Sequence, residues 1–105
     1  MACGFSVDEK LKLYQKYTPL LRSISSRYWR HYRESIQSYQ DLYQTVCYLF
    51  LYALDIYKPE KGKLGPHLKR TITLKLNSML KGERAPRSKD YPFTFLRHTV
   101  VEIEE

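Results

Sequence analysis

The segment from Tyr39 to Tyr57 constrains the fold more than any other part of the chain. Leu42, Val46, Leu49, Phe50, Ala53, Leu54 and Tyr57 recur at steps of three and four residues, the spacing that gathers side chains on one side of an α-helix. Tyr43, Cys47 and Leu51 widen that stripe. A helix apolar this far round its circumference belongs at the centre of a bundle or beneath a partner. Ser38, with Asp41 three residues later, supplies its start signal.

Weaker helical patterns flank it. Ser6-Val7-Asp8-Glu9 reads as a capping box, with Ser6 as the cap and Glu9 reaching back to its amide. Leu11, Leu13, Tyr14 and Tyr17 are the apolar members of the helix that follows. Thr18-Pro19 predicts a restart there, because proline suits a first turn, where its missing N–H costs nothing. The restarted helix runs to about Tyr32, with Leu20, Leu21, Ile24, Tyr28 and Trp29 inward. A polar connector is expected over 33–37. Beyond the central helix, Lys58-Pro59-Glu60-Lys61-Gly62-Lys63 is a turn. Gly65-Pro66 opens a last helix, in which Leu64, Leu68, Ile72, Leu76 and Met79/Leu80 recur and Gly82 is the stop. The expected fold is all-α, a bundle of three or four helices over residues 1–82. Residues 83–105 are expected to form a charged linker and an extended or partner-binding tail, because Tyr91 to Ile103 is rich in aromatic and β-branched residues.

Charge narrows the function. The net charge is +7. Between Lys58 and Lys89 stand ten Lys and Arg against Glu60 and Glu83, a net of +8, so the remainder is nearly neutral. A concentrated basic stripe is the electrostatic footprint of a nucleic-acid partner, and a merely solvated face is the alternative. Ten of the fifteen aromatic residues are tyrosines, whose polar tips suit a surface or a base.

Several classes lack support. Cys3 and Cys47 make no disulfide framework, and with three scattered histidines they give no zinc spacing, so no metal or cofactor is expected. His31 and His98 have no companions and read as structural or solvated. No Ser/His/Asp or Cys/His grouping stands at an interpretable spacing, and a catalytic role for Asp8/Glu9 is displaced by their place in a helix first turn. An enzyme is therefore not expected. The longest apolar stretch, Val46 to Leu54, is too short to span a bilayer. The start carries no basic segment followed by an apolar run, so a cytoplasmic location is expected.

Four pieces together resemble region 2 of bacterial sigma factors. Tyr17-Thr18-Pro19-Leu20-Leu21 is similar to that family's Y-x-P-L-(L/V). Asp41-Leu42-Tyr43-Gln44 is similar to its DLxQ, and Ala53-Leu54-Asp55-Ile56-Tyr57 to the end of the same helix. Lys58-Pro59-Glu60-Lys61-Gly62 resembles its turn, followed by a helix opening Leu64-Gly65-Pro66-His67-Leu68-Lys69-Arg70-Thr71-Ile72. The resemblance covers about residues 8–82.

It implies a transcription-initiation subunit. The helix from Asp41 would bind the clamp helices of the largest RNA polymerase subunit, with Asp41, Leu42, Gln44, Thr45 and Tyr48 at the contact. Thr45 stands where the family usually has Glu, which removes a charge-assisted contact worth about 1.5–3 kcal/mol. The turn and last helix would hold the non-template strand of the promoter −10 element through Tyr57, Lys61, Lys63, His67, Lys69, Arg70 and Thr73, with one base unstacked into a pocket. His67 replaces an aromatic near that base, Leu64 a phenylalanine, and Arg70-Thr71 the tryptophan pair with which primary sigma factors prop the duplex open.

Only 23 residues follow Gly82, too few for the helix-turn-helix (region 4) that reads the −35 element. A co-sigma working with a separate region 4-bearing protein is expected, with a domain excised from a longer sigma factor as the other reading of the short chain. The alternatives are a sigma-mimicking, phage-borne regulator of polymerase and a plain helical DNA-binding module.

Overall fold

The computed structural model describes residues 5–82 and contains three α-helices: α1 (Val7–Tyr32), α2 (Tyr39–Asp55) and α3 (Leu64–Leu80). Short 3-10 turns at Arg33–Ser35 and Pro59–Lys61 join them. The all-α expectation holds. The expected linker and tail, residues 83–105, lie outside the described residues, as does Cys3.

The local start and stop signals act as read. Ser6 Oγ accepts from the Glu9 amide at 3.1 Å, and the Ser6 amide donates to Glu9 Oε1 at 2.8 Å. Ser38 Oγ accepts from the Asp41 amide at 3.1 Å, which satisfies one orphan donor of α2. At the end of α3, Gly82 takes φ 99°, a conformation open to glycine, and its amide donates to Met79 O at 2.9 Å.

The restart at Pro19 does not occur. α1 runs unbroken through it. Proline removes the bond to the carbonyl four residues back, a cost of about 3 kcal/mol inside a helix. Thr18 Oγ1 donates to Tyr14 O at 2.6 Å beside that gap. The continuous helix is held from outside: Tyr14 packs edge-on to Phe50 before the proline, and Leu21 and Ile24 are buried after it. Packing on both sides of Pro19 outweighs the local break signal.

α2 is the middle element, packed against both α1 and α3. Its Leu42, Val46, Leu49, Phe50, Ala53 and Leu54 are all fully buried. Leu68, Ile72, Leu76 and Met79 meet it from α3, and Leu21, Ile24 and Tyr28 from α1. Two expectations fail here. Leu11 is 56% exposed, because helical phase turns it away from the side on which Leu13, Tyr14, Tyr17 and Leu21 meet the core. Ile36, inside the expected polar connector, is fully buried as part of the same core. A lone apolar residue in a polar stretch has no periodicity to reveal it.

Aromatic rings line the α1–α2 seam. Trp29 meets Tyr39 edge-on, Tyr39 stacks on Tyr43, and the Tyr43 and Tyr14 hydroxyls lie 2.9 Å apart. Burial raises the Tyr43 phenol strongly and raises the Cys47 thiol, so both stay protonated at neutral pH.

Candidate polymerase and nucleic-acid surfaces

The end of α2 and the start of α3 build a groove of about 410 Å³. Its construction begins with the turn between them. Gly62 takes φ 138°, which a side chain would oppose, and its carbonyl accepts from Tyr57 Oη at 2.7 Å. The tyrosine therefore braces the loop that carries Lys61 and Lys63. Across the groove His67 Nε2 lies 2.9 Å from Ala53 O. A carbonyl only accepts, so Nε2 carries the proton and Nδ1 is the acceptor of the neutral ring. The Tyr57 amide turns to Leu54 O rather than Ala53 O, so His67 fills the place that the helix end vacates.

The rings of Tyr57 and His67 lie 5.2 Å apart at 49°. With Lys61, Lys63 and Arg70 they line the groove. Lys58 lines it as well, and flat rings beside four cations are what an unpaired base and its phosphates require. Phe5, which the sequence reading passed over, stacks on Tyr57 at 6.4 Å. The signal was present: an apolar residue just before a capping box tends to anchor the incoming chain.

The structure divides the expected DNA-binding set. Tyr57, Lys61, Lys63, His67 and Arg70 share this groove, while Lys69 and Thr73 line a different one, between α1 and α3. The Thr73 hydroxyl donates to Lys69 O at 2.8 Å, so its proton is committed to its own helix. Thr71 is buried at 9% exposure and faces the core rather than solvent.

The expected polymerase set divides as well. Gln44 is exposed, and Asp41 and Tyr48 are half-buried at the surface of α2. Leu42 and Thr45 are fully buried and present nothing to a partner, a correction to their expected place at the contact. The reason is helical phase: Leu42, Thr45 and Leu49 fall on the side that α2 turns to the core. Thr45 Oγ1 donates to Asp41 O at 3.0 Å, which lets a hydroxyl sit there without an unsatisfied donor. Steps of three and four along the outer side join Asp41, Gln44 and Tyr48 to Leu51, 44% exposed, and to Asp55. Asp55 in turn pairs with Lys10 of α1 at 3.4 Å.

Among the described residues no cluster of His, Cys, Asp or Glu has the makings of a metal site, and no helix is long and apolar enough to cross a membrane. No curated protein and no solved structure matches the chain. The family model for sigma-70 region 2 matches residues 13–85, which takes in most of α1, both turns, and the whole of α2 and α3. The match covers most of the chain and the architecture is all-α, and the chain belongs to the sigma-70 region 2 family, a family of transcription initiation.

Proposed function

We propose that the chain binds the clamp helices of RNA polymerase through the outer stripe of α2 and holds a base of the −10 non-template strand in the groove between α2 and α3. The observation that carries this reading is the groove itself: Tyr57 and His67 supply ring faces, and Lys61, Lys63 and Arg70 supply charge, on a turn braced by Tyr57 and Gly62. On α2 the contact falls to Asp41, Gln44, Tyr48 and Leu51. A separate region 4-bearing protein supplies −35 recognition.

The test is co-purification with core polymerase, followed by promoter-specific transcription with and without that partner. Binding to core, with specific initiation only when the partner is present, is the expected result. Absence of core binding at low salt overturns the reading.

One observation favours a second reading, a polymerase-binding regulator that blocks initiation. Arg70 and Thr71 stand where primary sigma factors place a tryptophan pair, and a buried Thr71 offers nothing on which to prop an opened duplex. That protein binds core and inhibits transcription whatever partner is added.

A further inference from the structure

The start of α1 is tied to the end of α2 by contacts that its own helix does not require. Before Leu21, α1 contributes no buried residue, and Val7 and Leu11 stand 82% and 56% exposed. Over 5–12 the one apolar side chain packed against the core is Phe5. An apolar residue directly before a capping box ordinarily staples itself to the fourth residue of the helix. Here that residue is Lys10, whose ammonium goes to Asp55 at 3.4 Å. Phe5 stacks instead on Tyr57, at 6.4 Å and 18°. Both staple positions are thus turned to α2. The capping box makes this reproducible: Ser6 and Glu9 exchange bonds of 3.1 and 2.8 Å, which fix the direction of the entering chain and so the place of the Phe5 ring.

Tyr57 is the groove residue that most needs such support. It lies just past the end of α2 and outside the turn, so neither helix fixes its side chain. Its ring lines the groove, and its hydroxyl donates to Gly62 O at 2.7 Å, which braces the loop between Lys61 and Lys63. Two rings meet it, His67 at 5.2 Å and Phe5 at 6.4 Å. His67 has its own anchor on Ala53 O. Phe5 is the ring that the start of α1 supplies, and it does not itself line the groove.

We propose that Phe5 is a positioning residue of the nucleic-acid groove: its stack on Tyr57 holds the brace on Gly62, and with it the lysines of the turn, in the geometry that takes a strand. The inference rests on the nucleic-acid reading of that groove. It adds to the site a segment that precedes residue 13, where the family match begins. Phe5 touches no ligand and carries no charge, so its whole effect passes through Tyr57. The Lys10–Asp55 pair is the second tie between the same two stretches of chain, and it keeps the start of α1 within reach of that ring.

Fluorescence anisotropy of the full chain with a labelled DNA single strand tests this, read at several salt concentrations and well below each variant's melting temperature. F5A should weaken binding about three- to tenfold, the range that loss of one aromatic pair allows. It should also lower the salt slope by about 0.7 for each phosphate contact that the turn gives up, although no charge is removed. F5Y keeps a ring and should restore both quantities. F5L keeps apolar bulk without a ring and carries the same test where F5A melts too low to measure. In a Y57A background F5A should change little, because the ring it supports is gone. L13A, which removes a side chain packed on the core from the same helix, should lower the melting temperature without lowering the salt slope. If F5A and F5L bind as the wild type does while K61Q/K63Q weakens binding, Phe5 has no part in the site and the groove stands without it. If F5A weakens binding equally with and without Tyr57, it acts on the fold at large and the proposal is overturned. If K61Q/K63Q changes nothing, or the wild type binds no strand, the reading of the groove falls and this inference with it.

Discussion

His67 donates from Nε2 to the backbone oxygen of Ala53 at 2.9 Å, and so joins the first turn of α3 to the last turn of α2. That bond orients a ring of the candidate base groove and also closes the end of the central helix. His67→Ala should therefore act on two properties at once. Loss of the bond costs about 1–2 kcal/mol, a fall of several degrees in the thermal midpoint. His67→Phe restores a stacking face without the donor, so it should recover oligonucleotide binding more fully than stability. Calorimetry and anisotropy on the two variants separate the effects.

Burial distinguishes two neighbours on α2. Gln44→Ala should weaken capture of core polymerase severalfold with little change in stability. Thr45→Val should leave capture intact and cost about 1 kcal/mol, because a buried hydroxyl bond is lost while shape is kept. Thr45→Glu, which restores the residue usual in the family, should destabilise the chain by several kcal/mol, since an unpaired carboxylate would enter the core. A Thr45→Glu protein that stays folded and binds polymerase more tightly would show that this position faces outward.

Pro19 is exposed and lies within a continuous helix. Pro19→Ala restores a missing backbone bond and removes a clash with the preceding turn. It should stabilise the chain by about 1–3 kcal/mol, seen as a higher urea midpoint. A drop in stability would mean that the proline itself is needed for α1 to pack on α2.

Alkaline pH should weaken the fold. Burial raises the Cys47 thiol from its ordinary 9.0 and the Tyr28 and Tyr43 phenols from 10.0. Above those ordinary values the unfolded chain releases protons that the folded chain retains, so stability falls as pH rises. Thermal midpoints should therefore decline from about pH 9 upward, and Tyr43→Phe should flatten the decline. Alkylation of Cys47 at pH 8 should be slow until the chain is unfolded, because the thiolate is the reactive form.

Features carried by neighbouring residues were legible in the sequence. The capping box at Ser6, the cap at Ser38, the stop at Gly82 and the apolar stripes of α2 and α3 depend on contacts within one or two turns, and each reads directly from spacing. The basic turn was legible for the same reason, and Tyr57, Lys61, Lys63, His67 and Arg70, which the family resemblance singled out, share one groove because they lie within one short segment. What the tertiary structure alone decided involves residues distant in sequence. It carried α1 through Pro19, because packing on both sides outweighs a local cost. It buried Ile36 and Thr45, since helical phase and the position of neighbours, not polarity, set exposure. It tied His67 to Ala53, and it split one basic stripe into two grooves. Spacing along a helix fixes which side chains share a face; only the packing of the three helices fixes what each face meets.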